Sequence, residues 1–157
     1  LTPCVDFCRI THAKDVGVTY VKVEDMQACE WVREHLPIEA VVQSYPQYPG
    51  SKYYYSLIAN FAERRMAVGE WKVSGVKQDQ GVKGVARRYE AVTKRLFATD
   101  SPEEAHHTAR QLGIDYVYVG PLEERLYPSR AMEKWEAGEA YFRKVYDRAG
   151  VRIFRVL

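Results

Sequence analysis

The spacing of apolar and polar residues changes period several times along the chain, and each change marks an element. From Asp25 to Leu36 the apolar residues Ala28, Cys29, Val32 and Leu36 fall at i, i+1, i+4 and i+8, which predicts a helix with one buried stripe. Glu24 and Asp25 suit its first turn, and Pro37 ends it. Ala40-Val41-Val42 opens a short strand that stops at Ser44-Tyr45-Pro46. A proline- and glycine-bearing loop follows, then a helix from about Tyr53 to Glu63. Arg65 to Val68 reads as a short strand, and the polar, glycine-punctuated residues 70–81 read as a loop. Gly81 to Phe97 predicts a helix, with Val82, Val85, Tyr89, Val92 and Leu96 on one face.

The second half is punctuated more sharply. Ser101-Pro102-Glu103-Glu104 carries a helix start: a serine N-cap, proline at the first position and glutamate at the third. Gly113 closes that helix. Ile114 to Val119 is a continuous apolar and aromatic run, hence a buried strand, and it stops at Gly120-Pro121. A short polar turn or helix ends near Tyr127-Pro128. Residues 130–142 predict a helix interrupted near Gly138. A hairpin follows, Phe142–Tyr146 and Val151–Val156, around Asp147-Arg148-Ala149-Gly150. Val16, Val18, Val21 and Val23 hint at an extended segment near the start. This order predicts an α/β domain, a small mixed β-sheet flanked by helices with a C-terminal β-hairpin, over residues 25–157. Residues 1–24 read as an N-terminal extension or linker.

Composition changes this picture little. At 157 residues the chain is one domain on length, with 46% hydrophobic and 28% charged residues. The net charge of +2 hides an uneven distribution. Residues 60–95 hold nine Lys/Arg against four acids, so this middle segment carries +5. It suits an anionic partner or, more simply, a solvated helix face. The three cysteines (Cys4, Cys8, Cys29) make no disulfide framework and no zinc motif, and buried free thiols are the expectation. No apolar run reaches the ~20 residues of a membrane span. The chain does not begin with Met, so a soluble piece of something longer is expected.

Candidate chemistry is sparse. Five of the twelve tyrosines lie in residues 45–55, among them Tyr53 and Tyr54. Such a loop can stack on sugars or pack on its own sheet. Gly120-Pro121 after a strand could offer backbone N–H groups to a phosphate, but proline removes one donor and no glycine fingerprint is present. Glu123 and Glu124 sit side by side at a helix start. Neighbouring helical residues point ~100° apart, so a solvated first turn suiting the helix dipole is expected. Glu103 and His107 at i, i+4 could share a metal only with a third ligand that the sequence does not show. No Ser/His/Asp signature and no nucleic-acid-binding motif is present, and a pI near 8.4 is mild.

A set of blocks is more specific. They are Ala28 to Pro37 (ACEWVREHLP) with Ala40-Val41-Val42, then Ser56 to Ala59 through Arg65-Met66-Ala67-Val68-Gly69-Glu70-Trp71, and the helix at 101–112. Tyr116 to Pro128 (YVYVGPLEERLYP) and Gly150 to Val156 (GVRIFRV) complete the set. Together they resemble the soluble C-terminal region of large polytopic bacterial and archaeal membrane proteins of the GT-C glycosyltransferase-like class, in particular the Chlor-Arch-YYY group and its YfhO-like relatives. The resemblance implies a many-helix membrane body before residue 1, with the catalytic acid there and a polyprenyl-phosphate-linked sugar as donor. This chain would then be an extracytoplasmic tail without its own catalytic centre, shaping the acceptor side or docking partners. One departure stands out. Relatives often carry His-Glu and Trp-Arg pairs after a Gly-Trp following the middle strand, where this chain reads Gly69-Glu70-Trp71-Lys72-Val73-Ser74.

Three functional expectations follow. The first is that accessory domain, contacting its own membrane-embedded region and a lipid-linked sugar or acceptor, with no cofactor, no metal and no nucleic acid. The second is a carbohydrate- or phosphate-binding module using Tyr45–Tyr55 and the basic 64–95 segment. The third is a small self-contained α/β enzyme. Candidate contact residues are Tyr53, Tyr54, Arg64, Arg65, Glu70, Trp71, Gly120, Glu123, Arg125 and Tyr127.

Overall fold

In the computed structural model the described residues are 21–46, 57–69 and 81–157. Helix α1 spans Val23–His35, strand β1 Val42–Gln43 and helix α2 Leu57–Phe61. Helix α3, Gly81–Glu90, continues as a π-helical turn pair over Ala91–Ala98. Then come α4 (Pro102–Gln111), β2 (Tyr116–Val119), α5 (Pro121–Leu126), α6 (Ser129–Ala137), β3 (Phe142–Arg148) and β4 (Val151–Val156). The expected α/β architecture with a mixed sheet and a terminal hairpin is present. The four strands lie in the order β1-β2-β4-β3. β1 and β2 are parallel, and the other pairings are antiparallel.

The sheet separates two cores, and strand alternation decides which residue joins which. On β2, Tyr118 faces α1 and α2, while Val117 and Val119 face α4, α6 and the π-helical segment. On β4, Val151 and Ile153 join the first core, and Phe154 and Val156 join the second. The α1 stripe of Ala28, Cys29 and Val32 is fully buried, as its spacing predicts. Trp135, Phe97 and Phe154 fill the second core. Each such large side chain contributes roughly 1.5–3 kcal/mol of burial.

Several elements differ from expectation for identifiable reasons. Residues 65–68 form no strand; only Arg65 bridges, to Val41. The Gln43 side chain takes the pairing instead, accepting from Val68 N–H at 3.0 Å and donating to Val68 O at 2.9 Å. The helix expected to reach Glu63 stops at Phe61, and Glu63 takes a left-handed φ of 54°. The expected helix 81–97 switches to π geometry at Ala91. There the Thr93 hydroxyl donates to Tyr89 O at 2.9 Å, competing for the carbonyl an α-helical N–H would use. Strand β2 starts at Tyr116 rather than Ile114, and α6 ends at Ala137. The hairpin turn is two residues, not four. Ala149 (φ 53°) and Gly150 (φ 79°) both take left-handed conformations, the geometry that matches strand twist. Of the valines read as extended, Val23 begins α1, and Val16 and Val18 lie outside the described residues.

Candidate functional site

The parallel pair β1–β2 sends both carboxyl ends to one edge of the sheet, the place where open α/β sheets set their polar groups. β1 leaves through Ser44-Tyr45, and β2 leaves through Gly120 into α5. Glu123, in the first turn of α5, folds back between the two exits and is 2% exposed. Its Oε2 accepts from Gly120 N–H at 2.8 Å and its Oε1 accepts from Tyr45 N–H at 2.7 Å. The sequence reading of a solvated Glu123 is therefore corrected. The carboxylate itself occupies the place where a phosphate at this helix start would sit. Glu124 keeps the expected exposure and pairs with Arg152 at 2.6 Å. Burial pushes the Glu123 carboxyl up to about 7; the backbone hydrogen bonds oppose that rise, and the Asp25 charge adds to it.

A second carboxylate reaches the same place from the opposite layer. Asp25, in the first turn of α1, is 4% exposed, and Tyr118 Oη donates to its Oδ1 at 2.6 Å. Burial raises the Asp25 pKa, while the Tyr118 bond opposes the rise. Burial, then the Asp25 charge, drives the Tyr118 phenol far above its usual range. Gly120 makes the contact possible. A Cβ there would lie 2.8 Å from Tyr118 Cε1 and 3.3 Å from Asp25 Oδ1. Its φ of −118° is ordinary, so lack of space, not backbone conformation, explains the glycine.

Tyrosines roof this edge. Tyr45 Oη lies 3.3 Å from Tyr89 Oη, and the Tyr45 ring meets Tyr127 edge-on at 6.2 Å. Tyr127 stacks on Phe97 at 5.6 Å. Asp25, Ser44, Tyr45, Leu57, Tyr118, Leu122 and Glu123 enclose a void of about 10 Å³, the room of a single water. Chemically this cluster can hold and share protons, but a space of that size admits no sugar. More open grooves, of about 330 and 530 Å³, run between α6 and the hairpin. Arg152 bridges Glu124 and Glu136 there.

No family model matches the chain, and no curated protein matches it. Among solved structures, the C-terminal globular domain of an oligosaccharyltransferase from Archaeoglobus fulgidus aligns with a TM-score of 0.54. The alignment covers 88% of this chain and 100% of that domain, at 16% identity. The two share a fold. No helix among the described residues is long and apolar enough to cross a membrane.

Within this fold the predicted contact residues are dispersed. Gly120, Glu123 and Tyr127 do come together. Arg125 projects, exposed, from the same helix α5. Arg64 and Arg65 lie at the opposite, amino edge of the sheet. Arg64 is buried, and its Nη2 donates to Arg33 O at 2.7 Å and Leu36 O at 2.8 Å, closing the end of α1. Arg65 donates to Glu39 O at 2.8 Å. Tyr53, Tyr54, Glu70 and Trp71 lie outside the described residues. So do Cys4 and Cys8; Cys29 is a buried free thiol, pushed up to about 12 by burial. Among the described residues no three metal-binding side chains converge, and Glu103 and His107 stand exposed on α4. Of the basic segment, Arg87, Arg88, Lys94 and Arg95 are exposed, as the solvated-face reading has it, whereas Arg64 is not. Sequence reasoning missed Asp25 and Tyr118. The alternation of Tyr116-Val117-Tyr118-Val119 held the signal, because it places Tyr118 on the face that α1 covers.

Proposed function

We propose that this chain is an accessory domain of a GT-C-like membrane glycosyltransferase that uses polyprenyl-phosphate-linked sugars. It would sit on the extracytoplasmic face, joined to a membrane-embedded region that holds the catalytic centre. The observation that carries this reading is the shared fold with an oligosaccharyltransferase C-terminal domain, over 88% of this chain and the whole of that domain. The blocks at 116–128 and 150–156 support it independently. The carboxyl-edge cluster agrees with it, because its carboxylates are sealed against their own backbone and phenol partners. The partners on this reading are the membrane-embedded region itself and a lipid-linked sugar or acceptor. Gly120, Glu123 and Tyr127 are the candidate contact residues at the edge where β1 ends, and Arg125 stands exposed on α5.

The gene upstream of Leu1 provides the first test. A run of hydrophobic spans is expected there, and its absence would sink the proposal. Topology gives the second test. A periplasm-active phosphatase fused after Leu157 of the full protein should be active and a cytoplasm-dependent fluorescent fusion dark; the reverse pattern would place the domain on the wrong face. The rival reading, a carbohydrate- or phosphate-binding module, draws on Tyr45, Tyr89 and Tyr127 at the same edge. It requires amide shifts there when the isolated chain is titrated with oligosaccharides or polyprenyl-phosphate headgroup analogues at millimolar concentration.

A further inference from the structure

We propose that the groove between α6 and the hairpin is a binding site for a neutral saccharide, with Trp135, Glu139 and Arg143 as its contact residues. The inference goes beyond the accessory-domain reading and does not depend on it, so either can fail alone.

The groove has an apolar floor that is fixed in place. Trp135, Phe142 and Phe154 line it, each at most 2% exposed. The Trp135 ring meets Phe142 edge-on at 4.9 Å and stacks on Phe154 at 6.1 Å. The chain between α6 and β3 is held as tightly. Tyr141 and Phe142 N–H both donate to Gly138 O, at 2.8 and 2.9 Å. A Cβ at Gly138 would lie 2.7 Å from Pro102 Cβ and 3.3 Å from Phe142 Cδ2, so the turn that carries Glu139 is pressed onto this floor. The space above it is about 330 Å³, within the range of small-ligand sites and far larger than the void beside Glu123.

The unused hydrogen-bonding groups name the ligand class. Trp135 Nε1–H is buried and finds no acceptor among the described residues, a state that buried donors rarely keep. Four charged side chains also line the groove. Glu136 and Lys144 hold each other at 3.1 Å, and Arg152 and Asp147 extend that network. The exposed side chains of Glu139 and Arg143 have no hydrogen-bond or ion-pair partner among the described residues. One carboxylate, one guanidinium and one indole N–H are therefore unengaged. The two acids and two bases of the lining cancel, so it favours neither an anion nor a cation. A sugar fits this set. Its hydroxyls donate to a carboxylate and accept from N–H groups, and its C–H face covers an apolar floor. The adjoining groove lacks the set, because Glu124 and Glu136 already hold its one base, Arg152.

The test titrates the isotopically labelled 157-residue chain with maltose, cellobiose and mannobiose at millimolar concentration. The signals followed are the Trp135 indole N–H and the amides of residues 136–144. At least one of these sugars should move them saturably. Glu139→Ala and Arg143→Ala change exposed side chains and leave the fold intact, and each should weaken that binding about tenfold. No saturable change with any of the three sugars overturns the site, as does equal affinity in the wild type and either variant. Glucuronate and glucosamine should bind more weakly than the neutral sugars, and a capped alanine peptide not at all. Tighter binding of any of these overturns the assignment to a neutral saccharide. Movement confined to Tyr45, Tyr89 and Tyr127 also overturns it, and favours the rival module at the carboxyl edge.

Discussion

A methyl group at position 120 would have nowhere to go. It would meet the Tyr118 ring at 2.8 Å and crowd the Asp25 carboxylate, both fixed by the 2.6 Å bond between them. Gly120→Ala should therefore break or stretch that bond and lower stability by about 1–3 kcal/mol, as should Tyr118→Phe, which removes the donor and leaves Asp25 buried without it. Urea denaturation at pH 7 measures both; a loss under about 0.5 kcal/mol in the two variants would remove this contact from the account of the edge. At this scale the sequence was only partly legible. Gly120 was identifiable as a corner. Its reason was not, because it depends on Asp25, some 93 residues from Tyr118. Glu123 misled for a similar reason. In Pro-Leu-Glu-Glu-Arg it looks like any acid at a helix start, and no local spacing reveals the Tyr45 amide that turns it inward.

Elements were read more securely, because their signals are local. Ser101 caps α4, accepting from Glu104 N–H at 3.2 Å, and Gly113 ends it with φ at 66°. The reciprocal half of the box is absent. Glu104 Oε2 instead accepts from Thr99 Oγ1 at 2.6 Å, and Thr99 Oγ1 accepts from Ser101 N–H at 3.2 Å. Ser101→Ala should cost about 1 kcal/mol, seen as a melting-temperature drop of about 2–4 °C. An unchanged melting temperature would mean that Thr99 and Glu104 already suffice. Elements failed where a side chain replaced backbone pairing, as Gln43 does for residues 65–68, or where a hydroxyl intruded, as Thr93 does at the π turn. The edge strand β3 is guarded in the usual manner. It carries exposed Arg143 and Lys144, and a register irregularity between Lys144 and Tyr146.

Across the whole molecule, burial pushes an acid at the carboxyl edge of the sheet and a base beside Trp135 toward neutral pH from opposite sides. Lys134, 2% exposed, donates to Phe97 O at 2.8 Å and Ala131 O at 2.6 Å and lies 4.1 Å over the Trp135 ring. Burial lowers its pKa from 10.5 to about 7, opposed by the charge of Asp100. The folded state holds the Glu123 proton more tightly than the unfolded chain, so this contribution falls as pH rises from 4.5 to about 7. The folded state holds the Lys134 proton less tightly, so its contribution rises from about 7 to 10.5. Together they put a shallow valley in the stability curve near neutral pH. Glu123→Gln should flatten the acid limb and Lys134→Met the alkaline limb, each relative to wild type in denaturant titrations from pH 5 to 10. Parallel curves for all three proteins would refute the assignment. At this scale the fold class was legible from the order of periodicities, but neither titrating group was, since burial of a charge is a property of the packed layers.

The strand order also sets a timetable. β3 and β4 meet across a two-residue turn, whereas Val41 and Asp115, which tie β1 to β2, are 74 residues apart. Closing the longer loop costs chain entropy before any contact rewards it, so the hairpin belongs to the folding nucleus and the β1–β2 seam zips up afterwards. In stopped-flow measurements Phe154→Ala should chiefly slow refolding, whereas Val42→Ala should chiefly speed unfolding. During synthesis β1 would have to wait for β2 and the hairpin, far downstream, before it found a place.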